Sequence, residues 1–381
     1  MSALQSALAP IFEENFALRG ELGASVSVWH DGREIAGLAG GFQDRHRTRP
    51  WHAGTLALVY SATKGPAAAC VLKCLWEAGL PLEAPVASIW PRFALGGKAA
   101  VTFAQVLSHR AGLPALDHPP DVFDYPAVIG AIEEQAPFWP PGDGHGYHPR
   151  TSGFLWDEIV RRVTGQPLGH YWRLAFAQPL GLDFWIGLPP KRLADVAPLH
   201  AARSTPGDDP FLKAYAKTGS ITNRAFNSPS GLFSVSSMNT PKARTASFPA
   251  FGGIGSATAL ARFYSMLAGG GQEAGRAIIP PGAVAAMSKR LANGFDRVLR
   301  LDTAFSAGFL QDPLTVAEAK SRSLFGPSTR AFGQVGAGGS FAFADPDRGI
   351  GFAYVMNQME PGVLPNAKSL LLIQRIYEAL D

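Results

Sequence analysis

Cysteine is scarce in this chain. Only Cys70 and Cys74 occur among 381 residues, which excludes a disulfide-stapled scaffold and leaves too few thiols for a structural zinc site. At a spacing of four they share one helix face, about 6 Å apart with parallel Cβ vectors, a strained geometry for a bridge. They read as two small packing residues. Charge is scarce too, at 17% Asp, Glu, Lys and Arg, with a net charge of +4. That argues against long disordered tails. The densest basic stretch, Arg45 to Arg49 ("RHRTR"), reads as a solvated loop, so no nucleic-acid partner is expected. Neither a run of 18 uncharged apolar residues nor a basic start followed by an apolar core occurs. No membrane partner is expected, and a cytoplasmic location is the default.

Several motifs are missing as well. There is no Gly-x-Ser-x-Gly, so the α/β-hydrolase nucleophile elbow is not expected. No Gly-x-Gly-x-x-Gly leads from a strand into a helix, so no nucleotide site or other cofactor is expected. No metal site is expected either, although His145 and His148 flank one loop tyrosine. No internal repeat occurs.

What the chain does have is apolar residues, 46% of it, with 42 Gly and 31 Pro spread without period. A sizeable core joined by long ordered loops follows. "GASVSVWHDGREIAGLAGG" (23–41) predicts two strands around Asp31-Gly32, and "TLALVY" a third. A helix is expected from about Ser61 to Ala78, ended by Gly79 and Pro81. From Pro81 to about Asn223, Pro-rich turns separate helical pieces and no alternating strand is evident. Later come helices at "TALARFYSMLAGG" and "PGAVAAMSKRLANG", then strands in "RAFGQVGAGGSFAFADPDRGIGFAYVMNQ" turning at Asp345–Gly349. A last helix closes the chain. The expected fold is α/β (α+β): an antiparallel sheet built from both termini (1–80 and 224–381), flanked by helices, with a mostly helical domain (81–223) inserted.

Ser61-Ala62-Thr63-Lys64 sits where an apolar strand becomes an Ala-rich helix. A serine hydroxyl near neutral pH needs a base close by, and a desolvated lysine serves. Spacing i,i+3 on a helix puts both side chains on one face, and the Ser61 N–H, in the first turn, is free to hold an oxyanion. The competing reading is a surface lysine at a helix start, but Ala, Gly and Pro dominate its surroundings. Tyr147 lies in a Gly/Pro-rich loop before a helix. A phenol near an ammonium loses its proton more easily and acts as base; the alternative is an aromatic plug. "GQVGAGGS" (333–340) allows close backbone approach to a ligand, with the Ala337 N–H as a second oxyanion donor, or it is a sheet-edge bulge. Phe123, Tyr125, Phe138 and Trp139 are either core or an apolar wall for a substrate.

Ser61-x-x-Lys64, Tyr147 and the Gly-rich strand, in this order, resemble the serine β-lactamase and penicillin-recognising superfamily, closest to class C β-lactamases and family VIII carboxylesterases. "TFAQVLSHRAGLP", Pro141-Gly142, "TGQPLGHYWRLAFAQPLGL" and "GGSFAFADPDRGIGFAYVMN" add to the likeness, which spans nearly the whole chain. The resemblance implies Ser61 as acylated nucleophile, Lys64 and Tyr147 as proton-transfer pair, and an oxyanion hole from Ser61 and Ala337. Gln334, Val335, Gly336, Gly338, Phe123, Tyr125, Trp139 and His148 are the expected substrate-binding residues. Two departures point away from β-lactams. The Tyr-x-Asn pattern of class C is Tyr147-His148-Pro149 here, without the side-chain amide. The strand's Lys-Thr-Gly aligns with Gln334-Val335-Gly336, without the charge. A literal Lys217-Thr218-Gly219 falls in a polar loop and reads as a chance match. The expectation is a serine hydrolase cleaving small carboxylic esters through an acyl-enzyme on Ser61. The alternatives are an acyltransferase to an alcohol or amine, and a penicillin-recognising protein with weak β-lactamase activity.

Overall fold

Asp31 and Gly32 adopt φ 48° and 76°, the left-handed pair that a two-residue hairpin turn requires. They join β1 (Gly23–His30) to β2 (Arg33–Gly41) in register from His30↔Arg33. The computed structural model describes residues 2–202 and 208–380. Along it follow β3 (Ala57–Leu58), β4 (Phe184–Ile186), β5 (Gly253–Gly255), the short hairpin β6 (Gln272–Glu273) and β7 (Arg276–Ala277), then β8 (Ala292–Phe295), β9 (Asp302–Phe305), β10 (Leu310–Gln311), β11 (Phe332–Val335), β12 (Phe341–Asp345) and β13 (Ile350–Met356). Among the described residues eight strands form one sheet in the order β2-β1-β13-β12-β11-β10-β9-β8.

The two ends of the chain meet in that sheet. β13 pairs antiparallel with β1, from Ala24↔Met356 to His30↔Ile350. Its side chains alternate by size. Phe352, Tyr354 and Met356 pack in one core with Leu8, Phe12, Leu372 and Ile376 of the terminal helices Ala3–Ala17 and Ala367–Leu380. Ala353 and Val355 face the opposite core, which holds Leu260, Phe263 and Tyr264 of the helix Ala257–Ala268. Small residues there let the helix close on the sheet; a Cβ on Gly351 would lie 2.4 Å from the Ser265 nitrogen. Helices thus cover both faces.

Several local expectations change. "TLALVY" does not join the main sheet: only Ala57–Leu58 is extended, pairing with β5 in a three-stranded sheet ordered β3-β5-β4. β4 is a strand inside the stretch read as strandless. At three residues it is too short to display an alternating pattern. The helix expected over "PGAVAAMSKRLANG" stops at Ser288, and Ala292–Phe295 is β8. β9 and β10 carried no sequence signal for the same reason of length. The helices Tyr125–Glu134 and Thr151–Thr164 do form. Trp90, Phe103 and Trp156 from this region share one core with Ala67 to Leu75 of the helix Lys64–Glu77. Cys70 and Cys74 are free and buried on that helix, and burial drives both thiols upward in pKa, Cys74 to about 12. Among the described residues no helix is long and apolar enough to cross a membrane.

Candidate active site

After β3 the chain makes a 3₁₀ turn, Tyr60–Thr63, before the α-helix begins at Lys64. Tyr60 enters it at φ 45°, a left-handed conformation costing a bulky residue about 1–2 kcal/mol. Thr63 holds the turn closed. Its hydroxyl donates to the Tyr60 carbonyl (2.5 Å) and accepts from the Gly253 N–H (2.7 Å). Ser61 is therefore carried on a tight turn braced by β5, not in the first α-helical turn as expected.

Lys64 is fully buried. Gly65 follows, and a Cβ there would lie 2.0 Å from the Tyr264 hydroxyl, so only glycine lets this turn press against its neighbour. Lys64 Nζ has three partners: Pro149 O at 2.8 Å, Ala250 O at 2.9 Å and Ser61 Oγ at 3.4 Å. Burial, with no compensating carboxylate among its neighbours, holds its pKa well below the usual lysine value. A neutral amine has two N–H groups and one lone pair. Two donors satisfy the two carbonyls, and the lone pair remains for the Ser61 hydroxyl.

Tyr147 is placed through its backbone. Its N–H donates to both carboxylate oxygens of the fully buried Asp296, at 3.0 and 3.1 Å. Asp296 also accepts from the N–H groups of Val298 and Leu299 (both 2.8 Å) and from the Thr303 hydroxyl (3.1 Å). The Tyr147 ring stacks on Phe305 at 6.1 Å, meets His109 edge-on at 4.9 Å, and has Lys64 Nζ 4.7 Å from its centre. Burial raises the phenol pKa; a hydrogen bond with Ser61 lowers it and the Asp296 charge raises it further. The expectation of an easily lost proton is thus reversed. The neighbouring amine is itself driven toward neutrality, so no fixed cation favours the phenolate, and Tyr147 keeps its proton.

The end of β11 closes the site. A Cβ on Gly336 would lie 2.1 Å from the Val59 carbonyl oxygen, so glycine lets this strand end touch the backbone just before Ser61. Gly336 to Ser340 form a tight turn, with the Gly336 N–H donating to Ser340 O at 2.7 Å and the Gly339 N–H to Gly336 O at 3.1 Å. Among the described residues the Ala337 N–H meets no backbone carbonyl. Two cavities open here, and Ser61 and Ala337 line both. One, of about 190 Å³, is walled by Tyr60, Arg150, Tyr215, Phe226, Phe233 and Phe251, among others. The other, of about 40 Å³, holds Tyr147, Phe305, Gln334, Val335 and Val363. A larger groove of about 940 Å³ lies elsewhere, between the turns at Asp31 and Gly349. It lacks any serine–lysine pair.

The structure brings Ser61, Lys64, Tyr147, Gln334, Val335, Gly336 and Ala337 together. It does not bring the other expected wall residues to either cavity. Phe123 packs edge-on against Phe248 with Lys242 over its ring, and the Tyr125 hydroxyl donates to Glu158 (2.9 Å). Trp139 backs the Tyr147 loop, under Arg297. His148 is buried, with Nδ1 bonded to Gly146 O (2.6 Å) and Nε2 accepting from the Leu113 N–H (2.9 Å), so it anchors the loop. Gly338 sits against Met359, and the Gln334 amide is tied to Gly308 O at 2.8 Å. Lys217-Thr218-Gly219 lies on an exposed turn. Sequence reasoning missed Asp296, which "NGFDRV" does nothing to advertise, and Arg150. The latter did carry a signal: a cation three residues after Tyr147, at the head of the helix Thr151–Thr164. Among the described residues no group of three or more His, Cys, Asp or Glu is placed to hold a metal ion.

Comparison with known proteins places this geometry in context. The Beta-lactamase family profile matches residues 9–374. The chain is 32% identical over 354 residues to "Esterase/beta-lactamase LipL" of Mycobacterium tuberculosis, covering 88% of this chain and 77% of that protein. A crystal structure of a penicillin-binding protein homolog from Caulobacter crescentus superposes with a TM-score of 0.88 at 36% identity, covering 99% and 98% of the two chains. A family VIII carboxylesterase superposes with the same TM-score at 32% identity, again covering 99% and 98%.

Proposed function

The chain belongs to the β-lactamase family, and from that premise we propose that it is a carboxylesterase that cleaves small esters through an acyl-enzyme on Ser61. The observation that carries this reading is the surroundings of Lys64 Nζ. It is a desolvated amine whose two donors are spoken for, 3.4 Å from the Ser61 hydroxyl.

As the Ser61 oxygen attacks the ester carbonyl, its proton passes to the Lys64–Tyr147 pair. The carbonyl oxygen takes up negative charge and receives the N–H groups of Ser61 and Ala337. When the C–O bond to the alcohol breaks, the leaving alkoxide needs a proton. Tyr147, held protonated, supplies it and is reprotonated from Lys64. Water then repeats the cycle on the acyl-enzyme and releases the acid. The leaving alcohol must sit beside Tyr147, hence in the cavity of about 40 Å³. That space takes roughly three water-sized groups, so it receives the leaving oxygen and the atoms next to it, and a larger alcohol extends out of its mouth. The acyl group takes the cavity of about 190 Å³. Pro149 and the neutral Gln334, standing where a β-lactam would call for an amide and a cation, favour an ester.

The test is turnover of p-nitrophenyl esters from acetate to laurate, with nitrocefin alongside. Wild type should hydrolyse the short esters and leave a transient mass adduct on Ser61. Ser61→Ala should do neither, and persistence of activity in that variant sinks the assignment.

A further inference from the structure

Arg150 is a buried cation that the reaction above does not use. It is only 6% exposed and lines the larger cavity together with Ser61. Its two terminal nitrogens donate to backbone carbonyls, Phe226 O at 3.3 Å and Gly231 O at 2.7 Å, and its plane lies over Phe251, 5.1 Å from the ring centre. A guanidinium has five N–H donors. These contacts account for two, and Nε is buried without a partner. The titratable groups that act on it are the Tyr60 and Tyr215 phenols, and among the described residues no carboxylate does so. Burial pulls its pKa down to about 10, so it remains a cation at neutral pH. A buried charge that lacks a counter-ion is costly to keep. A purely structural clamp on two carbonyls would be served by a neutral donor. Here the uncompensated charge borders the only one of the two cavities with room for an acyl group.

We propose that Arg150 is the anion-binding group of the acyl pocket, so that the preferred substrates are esters whose acid part ends in a carboxylate: half esters of short dicarboxylic acids. This rests on the reading of Ser61 as the acylated residue. The planar fork suits a carboxylate arriving from the cavity, and the Tyr60 and Tyr215 hydroxyls beside it offer further donors. The aromatic walls accommodate the methylene chain between the two ends.

The experiment compares monomethyl succinate, glutarate and adipate with their dimethyl esters in a pH-stat. Wild type should favour at least one half ester by about tenfold or more in kcat/KM, chiefly through KM, with the preference shrinking as salt is added. The preference should vanish in Arg150→Met and partly survive in Arg150→Lys. Should Arg150→Met fail to fold, inhibition of p-nitrophenyl acetate turnover in the wild type decides: glutarate should compete and neutral glutaramide should not. A wild type that hydrolyses diesters as well as half esters at all three lengths, or is inhibited equally by the two glutaryl compounds, overturns the role of Arg150 alone. A wild type inert toward all these esters and p-nitrophenyl acetate overturns the serine-ester reading and this proposal with it.

Discussion

Replacing Gly336 with alanine tests the second oxyanion donor without touching a reactive group. The new Cβ would lie 2.1 Å from Val59 O and 3.1 Å from Ser340 O, where contacts under 3.0 Å essentially never occur. Something must retreat by roughly 1 Å, a misplacement that can cost on the order of 10²-fold in rate when it reaches reacting groups. Val59 is poorly placed to move. Its N–H donates to Gly253 O of β5 (2.9 Å) and its carbonyl accepts from Ala62 (3.2 Å) in the turn that carries Ser61. The displacement therefore falls on Gly336 and Ala337. Withdrawing one oxyanion donor costs on the order of 10²–10³ in kcat. Gly336→Ala should lower kcat on p-nitrophenyl butyrate by that factor while KM changes little, because a ground-state carbonyl leans less on the donor than the tetrahedral intermediate does. Urea unfolding run in parallel separates a displaced strand end from a damaged core. Should a folded variant keep kcat within about threefold of wild type, Ala337 is not a donor to the oxyanion.

Other substitutions follow from the same geometry. Lys64→Ala and Tyr147→Phe should each reduce kcat/KM by on the order of 10²-fold or more, measured in a pH-stat on ethyl butyrate, whose alkoxide needs the proton that p-nitrophenolate does not. Asp296→Ala strands three buried backbone donors, each worth about 1–3 kcal/mol, so the urea midpoint should fall steeply and activity with it. Gly130, with nothing within 4 Å of a Cβ in the helix Tyr125–Glu134, should gain about 0.5–1 kcal/mol on replacement by alanine. The pH dependence has a definite sign. Only the neutral amine accepts the Ser61 proton, so kcat/KM should rise with pH through the Lys64 pKa, which burial sets well below 10.5. Between those two values the unfolded chain carries a proton the folded one has lost, so stability also rises with pH there. Lys64→Met should remove that slope from urea midpoints measured across the interval.

The parts of the fold that could be read in advance are those encoded within a few residues. Asp31-Gly32 needs two left-handed residues, and few sequences supply them. Ser61 and Lys64 are three apart, so local geometry alone unites them. Tyr147 and Gly336 were found because their own neighbourhoods, Gly/Pro-rich and Gly-rich, mark backbone that approaches something. What stayed hidden depends on distant partners. Asp296 matters only because it meets the Tyr147 N–H, 149 positions away in sequence. β4, β9 and β10 hold two to four residues each and exist because neighbouring strands pair with them. The aromatics Phe123, Tyr125 and Trp139 looked like a pocket wall because they are close to Tyr147 in sequence. Their partners, Phe248, Glu158 and Arg297, draw them elsewhere.

If Ser61 is acylated as proposed, the three contacts of Lys64 make that step a gauge of assembly. Pro149 O comes from the loop ahead of the helix Thr151–Thr164, Ala250 O from the approach to β5, and Ser61 from the turn after β3. A chain with any one of these undocked leaves the amine solvated, hence protonated and unable to take the serine proton. A burst of product from an ester whose acyl-enzyme breaks down slowly would then count native molecules, not total protein. In a refolding or expression series, the ratio of burst amplitude to protein mass would be a direct readout of how much of the sample has reached its final arrangement.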